Sequence, residues 1–408
     1  MQAVILVGGF GTRLRPLTFA TPKPLLPIAN VRQLEHLIAS LGAAGVTRAV
    51  LALGFKPEPF FQAFPDGTCA GVQLHYAVEP EPLDTAGAIG FAARDAGIED
   101  TFIVMNGDIL SDLDLNSLVE FHRQHGAQGT LHLTPVDDPS QYGVVEVDGD
   151  GWVRRFVEKP APGETDSRVI NAGTYVLEPS VLDLMPHLRK TSIERVVFPA
   201  MVADGRLAAM ATDDYWIDTG RPDTYLKANL DLIDGTRSLI LSSVGTNARV
   251  SASAPVSHSV IGDNATIEDG CVITDSVVLP GAHVGHAVRL ERSMVMGTVG
   301  SGASLVDCVV GIDGVVPRAH VALARGVQAR GLASEQDADR DLARASEAQA
   351  DAVEDVRHAR EGADLRPLET LALRVEQDAP RHAPPQVHRF KAALQHPVGV
   401  GREHRHEV

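Results

Sequence analysis

An α/β domain with a Rossmann-like, mostly parallel sheet, followed by a left-handed β-helix of hexapeptide repeats, is the fold class this sequence predicts. Three observations point to it. Short apolar runs alternate with helix-period segments through residues 1–235, an aliphatic six-residue step runs through 244–330, and the composition turns polar over 331–408. A chain of 408 residues with 44% hydrophobic content has room for more than one core.

In the first zone "AVILVG" (3–8), "RAVLALG" (48–54), "VQLHYAV" (72–78) and "TFIVMNGD" (101–108) have strand length. Between them, "LEHLIASLGAAG" (34–45) sets Leu34, Leu37, Ile38 and Leu41 at helical spacing and stops on glycine. "DTAGAIGFAARDAG" (84–97) reads the same way. Strands that alternate with such helices predict a parallel sheet covered on both faces. Ligands of such sheets bind beyond the carboxyl ends of the strands, where Gly8 and Asp108 fall.

In the second zone Ile261, Ile267, Ile273 and Leu279 recur every six residues. Val260, Thr266, Val272, Val278, Val284, Leu290 and Met296 keep the same step from one place earlier. A six-residue period predicts β-helix coils with aliphatic residues pointing inward. The end coils of a solenoid are open edges, which predicts a homo-oligomer. The third zone, 331–408, is rich in Ala, Asp, Glu, Arg and His; a solvated helix and disorder are both open readings there.

A net charge of −17 argues against a nucleic-acid partner, so any anionic ligand must meet a local cationic pocket. The cysteines Cys69, Cys271 and Cys308 are scattered, forming no disulfide framework or metal-ligand pattern. No apolar stretch approaches membrane-span length, and the start lacks a signal-peptide pattern. The expectation is a cytoplasmic protein with no membrane partner.

"VGGFGTRLRPLTFATPKP" (7–24) supplies the cationic pocket. Gly8, Gly9 and Gly11 let backbone N–H groups approach phosphate oxygens, and Thr12 adds a hydroxyl. The stretch is neither a P-loop nor a dinucleotide fingerprint. Arg13, Arg15 and Lys23 follow, on a path stiffened by Pro16, Pro22 and Pro24. Fixed cations of this kind suit a polyphosphate whose charge builds up during transfer.

With "EPLDTAG" (81–87), "NGD" (106–108), "YGVVEVD" (142–148), "FVEKP" (156–160), "INAGTYVL" (170–177), "TSIERVVFP" (191–199) and "WIDTG" (216–220), this stretch resembles the sugar-phosphate nucleotidyltransferases, or nucleotide-sugar pyrophosphorylases. The resemblance covers about the first 330 residues and is strongest to the guanylyltransferase branch. It implies transfer of a nucleotidyl group from a nucleoside triphosphate to a sugar 1-phosphate with release of pyrophosphate, GTP and mannose 1-phosphate being the implied pair. It also implies that Gly8, Gly9, Gly11, Thr12, Arg13 and Lys23 hold the triphosphate, with Glu79, Ala86 and Gly87 near the base. Asp108 and Asp218 match the carboxylates that hold Mg²⁺, and Lys159 matches the lysine on the sugar phosphate. Tyr142, Gly143, Glu158, Asn171 and Gly173 match sugar-pocket positions.

Two positions depart from the pattern. Asp84 stands where the family more often has glycine, and reads as a cap of the following helix. "IANVRQLEHLI" lacks a proline common just before its helix. Uridylyl or thymidylyl transfer to glucose 1-phosphate is the alternative within the class. A non-catalytic sugar-nucleotide-binding subunit should have lost Arg13, Lys23, Asp108, Lys159 or Asp218, and all five are present. An acyltransferase β-helix would need a catalytic histidine, for which His283 and His286 are the candidates.

Overall fold

The computed structural model describes residues 1–54, 57–237 and 240–323. The polar tail and its histidines, 331–408, lie outside the described residues.

In chain order the elements that frame the site are β1 (Gln2–Leu6), α1 (Gln33–Ala43), β2 (Arg48–Leu53), β3 (Thr68–Cys69), β4 (Val72–Val78), α2 (Asp84–Asp95), β5 (Phe102–Asn106), β6 (Ile109–Ser111) and α3 (Leu115–His125). Then follow β7 (Gly129–Pro135), β8 (Gly143–Val147), β9 (Val153–Glu158), β10 (Val169–Leu177), β11 (Leu207–Ala211), β12 (Trp216–Asp218) and α4 (Pro222–Asp231). The main sheet runs β9-β8-β10-β5-β1-β2-β4-β3, with β7 beside β10 and β11 beside β7. Its centre, β5-β1-β2-β4, is parallel. From β10 to β9 the strands turn antiparallel and extend the sheet toward residues 142–175.

The central strands read as continuous apolar runs because both faces are covered. Val4, Val50 and Ala77 pack with α2 residues such as Ile89 and Ala92 on one face. Ala3, Ile5 and Leu51 pack with Leu34, Leu37, Ile38 and Leu41 of α1 on the other. Full burial of each such leucine is worth roughly 1.5–3 kcal/mol. α1 begins at Gln33 without a proline. The chain enters it through a short ladder, Pro27–Ile28 against Val31–Arg32, turned by Ala29 (φ 48°) and Asn30 (φ 69°). α3 is capped at both ends: Asp114 accepts from the N–H of Asn116, and Gly126 leaves in the left-handed conformation.

The capping role expected of Asp84 does not form. Among the described residues its carboxylate accepts only from the adjacent Thr85 N–H (2.9 Å), and no side chain caps α2. Asp84 itself sits at φ +60°, a conformation natural to glycine and strained for other residues.

Residues 244–323 wind into a parallel β-helix with three sides. The interior stacks are Ile261, Val278, Val295 and Val310; Ile267, Val284, Val299 and Val316; and Ile273, Leu290, Leu305 and Ala322. The register corrects the unbroken six-residue step expected from the sequence. After Ile273 the next inward residue is Val278, five places on, so a coil takes 17 residues; one coil, shortened further between Val295 and Val299, takes 15. One side of each coil turns its corner with a residue fewer. Val272, beside the inward Ile273, stands on the outside, 41% exposed, and past the short corner Leu279 leaves the interior for the flank.

That flank is not solvated. Val260, Val277, Leu279, Met294, Met296 and Val309 form one buried cluster with Leu14, Leu17, Leu26 and Ile28 of the first domain and with Tyr225 and Leu232 at α4. Asn30 adds a side-chain hydrogen bond to the carbonyl of Ile261 (3.3 Å).

Candidate active site

The loop that leaves β1 crosses the carboxyl ends of the parallel strands. Gly11, at φ +60°, turns it, and a Cβ there would lie 3.0 Å from Thr18 and 3.2 Å from Lys23. The Thr18 hydroxyl donates to the Gly11 carbonyl (2.8 Å), closing the turn. Thr12–Leu14 then form one turn of 3₁₀-helix that leaves Thr12 and Arg13 exposed and Leu14 buried. Gly8 lies against Gly54 and Glu79, while Gly9 faces open space.

Asp108 and Asp218, 110 residues apart in the chain, meet because β6 and β12 form an antiparallel ladder in which Asp218 faces Ile109. The buried Lys23 ammonium lies 2.9 Å from Asp108 Oδ2 and 3.7 Å from Asp218 Oδ1. Arg13 Nη2 is 3.9 Å from Asp218 Oδ2, and the Gly220 N–H donates to Asp218 Oδ1 (2.7 Å). Burial, then the Asp108 charge, hold the Asp218 carboxyl above the usual carboxylate range, with Lys23 pulling the other way. A hard divalent cation fits this donor set: two carboxylates on one side, and an Asp108 exposed enough (36%) to leave room for waters and phosphate oxygens.

Glu79 closes one end. Its side chain is buried, accepts from the Leu83 N–H (2.9 Å), and is pushed above the usual range by that burial. Ala86 and Gly87 lie deeper than their assignment to the nucleotide suggests. Both are buried, and both N–H groups donate to the Thr191 carbonyl (2.8 and 3.1 Å). A Cβ on Gly87 would come within 2.7 Å of the Arg189 carbonyl, so the glycine admits the 189–191 strand of chain against α2. These two residues hold the loop at 79–85 in place from below.

The other end lies along the antiparallel strands. The Lys159 N–H donates to the Tyr142 carbonyl (2.9 Å), Gly143 pairs with Glu158, and the Lys159 ammonium is 3.6 Å from Glu158 Oε1. Burial, then the neighbouring Glu194, push Glu158 up. A register shift in β10 between Asn171 and Tyr175 turns Asn171 aside. Its amide donates to the Tyr175 hydroxyl (3.0 Å) and accepts from the Gly173 N–H (3.1 Å). The Tyr142 ring meets Trp216 edge to face at 5.6 Å, and its hydroxyl is pushed up by burial and by Asp218, which ties this end to the carboxylate pair.

Sequence reasoning missed Trp216, Thr219 and Gln33. The first two stand in "WIDTG": the Trp216 indole donates to the Ala172 carbonyl (2.9 Å), and the buried Thr219 hydroxyl lies 3.0 Å from both the Asp108 carbonyl and Gln33 Oε1. Gln33 opens α1 fully buried, and the spacing of apolar residues gives no signal for it. His283 and His286 both turn their Nε2 atoms to Glu268 (3.0 and 3.1 Å) on the β-helix. Among the described residues no helix is long and apolar enough to cross a membrane.

The nucleotidyl transferase family model matches residues 2–235, and a GlmU-like C-terminal hexapeptide model matches 231–313. A mannose-1-phosphate guanylyltransferase of Mycobacterium tuberculosis is 43% identical over 237 residues, 58% of this chain and 65% of that protein. The chain thus matches slightly less than two-thirds of that relative's length. A probable mannose-1-phosphate guanylyltransferase of Oryza sativa subsp. japonica is 41% identical over 304 residues, 72% of this chain and 81% of that protein. A solved structure of a putative glucose-1-phosphate thymidylyltransferase from Bacillus anthracis aligns with 56% of this chain and 94% of its own, with a TM-score of 0.51 and 25% identity.

Proposed function

The chain belongs to the nucleotidyl transferase family, and from that premise we propose that it joins GTP to mannose 1-phosphate, forming GDP-mannose and pyrophosphate. The observation that carries the transfer chemistry is the pair of carboxylates, Asp108 and Asp218, facing Lys23 and Arg13 at the carboxyl ends of the parallel strands. The choice of substrates rests on the guanylyltransferase relatives. Glu79 supports it: a buried carboxylate can accept from both N1–H and the 2-amino group of guanine, where uracil and thymine offer one donor.

A sugar-phosphate oxygen attacks the α-phosphorus in line, the α–β bridge bond breaks, and the electron pair leaves with pyrophosphate. Arg13 and Lys23 neutralise the triphosphate oxygens, while Gly8, Gly9, Gly11 and Thr12 lay backbone and hydroxyl donors along them. Lys159 holds the sugar phosphate, and Glu158 and Asn171 accept from sugar hydroxyls beside Tyr142, Gly143 and Gly173. Ala86 and Gly87 act on the base only through the loop they anchor. Members of this family use a divalent metal; here Asp108 and Asp218 would hold Mg²⁺, which would supply positive charge against the phosphates. The protein's part is positioning and charge neutralisation, with no covalent intermediate. A cytoplasmic location goes with the same reading. The exposed Val272 and Val321 on the β-helix support self-association, which light scattering measures.

The deciding experiment is a panel of GTP, UTP and dTTP against mannose and glucose 1-phosphates, followed by pyrophosphate release. GTP with mannose 1-phosphate should give the highest kcat/KM. Preference for UTP or dTTP with glucose 1-phosphate would replace the reading by its nearest alternative, and no release with any pair would sink it.

A further inference from the structure

The triphosphate loop has two faces, and the β-helix covers one of them. Arg13 is directed to Asp218, yet its neighbour Leu14 is fully buried in the same cluster as Met294, Met296 and Val309 of the β-helix. Pro16 and Leu17 are buried too. Gly311, at a β-helix corner, lies against Pro16 so closely that a Cβ on it would fall 2.8 Å from Pro16 Cβ and 3.2 Å from the Pro16 carbonyl oxygen. Gly311 does not adopt the left-handed conformation, so space rather than backbone freedom requires glycine there. The contact joins residues 295 positions apart, next to Arg15 and three residues from Arg13. The loop is one layer thick between its phosphate face and this flank.

We infer that the β-helix is the floor of the phosphate site, and that Gly311 and Met296 are positioning residues that set the placement of Arg13 through the loop at 14–17. Interiors are close-packed, so a displacement on the flank passes to the loop rather than being absorbed. The sugar end rests on β8–β10, and Tyr142, Gly143, Glu158, Lys159, Asn171 and Gly173 are not among the described residues of that buried cluster.

The inference rests on the triphosphate reading above, and the test separates the two. GTP with Mg²⁺ and mannose 1-phosphate are titrated separately by calorimetry into the full chain, its Gly311→Ala variant, and Val315→Ala as a control on the same coil. Gly311→Ala should weaken GTP roughly tenfold and leave mannose 1-phosphate within about twofold, since sub-ångström misplacement of a positioned group costs that much. Val315→Ala should change neither. Unchanged GTP affinity in a folded Gly311→Ala, or equal weakening of both ligands, overturns the inference. No GTP binding by the wild type overturns the functional reading instead. If Gly311→Ala does not fold, Met296→Ala and Met296→Leu decide. The alanine variant should show the same selective loss and the leucine variant should restore affinity, and a uniform loss or none again overturns it.

Discussion

Buried polar groups are treated in opposite ways in the two domains. In the β-helix they repeat and are satisfied. The Ser259 hydroxyl donates to the Ser257 carbonyl and accepts from the Ser276 N–H; Ser276 does the same one coil on, toward Thr274 and Ser293; Ser293 continues it to Glu291 and Cys308. At the candidate site of the α/β domain the acids differ from one another and burial works against their charge. Asp218, Glu79 and Glu158 are each held above the usual carboxylate range, first of all by burial. Polar burial in a repeat specifies the stacking of coils, because each group finds its partner in the next copy. Polar burial at a site stores unmet charge that a substrate or cation relieves, at a cost in stability.

The contrast is broken most directly at the carboxylates. Asp108→Asn and Asp218→Asn should each lower kcat by roughly 10²–10³ in the pyrophosphate-release assay, the scale of losing one preorganised electrostatic group. Asp218 titrates above its unfolded value of 3.8, so its contribution to stability is present below that value and lost as pH rises through the folded one. Asparagine mimics the protonated acid, so at neutral pH Asp218→Asn should melt no lower than the wild type, and higher if frustration dominates. A clear fall in its melting temperature would mean that the carboxylate is a structural anchor, and the contrast would fail.

The reciprocal experiment is Ser276→Ala. It leaves the buried Ser293 N–H without its acceptor and should cost about 1–3 kcal/mol in urea unfolding, with kinetic constants within about twofold of wild type. A stable variant with impaired turnover would reverse the assignment. The smallest effect is expected where the domains meet. His258 lies between Asp275 (2.6 Å) on the β-helix and Asp234 (3.5 Å) after α4, and its pKa is raised by the Asp275 hydrogen bond, then by Asp234. The stability this adds is complete below the unfolded value of 6.5 and is lost as pH rises through the folded one. Melting of the wild type from about pH 6 to about pH 8 should therefore fall more steeply than that of His258→Gln, by under about 1 kcal/mol for so exposed a pair. Identical slopes would remove His258 as a link.

The alternation of strands and helices was legible because β1, β2, β4, β5, α1 and α2 each carry their period within a dozen or so residues. Legible too was the inventory of the site: the glycines and cations of 7–24, and the acids at 108 and 218. The corner that shortens each coil was not, since Val278 and Leu279 are both aliphatic and only the stacking decides which turns inward. Gln33 had no signal in a helix whose pattern is set by leucines, and Asp84 was read as a cap because aspartate favours that role wherever the backbone allows it.

By itself the sequence determined which groups are available and where the chain bends, because residue type and near-neighbour sterics encode both. That Asp218 stands beside Asp108, that Thr191 takes the N–H groups of Ala86 and Gly87, and that Gly311 backs Pro16 were decided by tertiary structure. Each of these joins segments about 100 residues or more apart, and only packing selects such partners. The prolines of the opening loop show the division. Their fixed φ stiffens the chain locally, while the direction in which Arg13 is held depends on what lies behind Leu14 and Pro16.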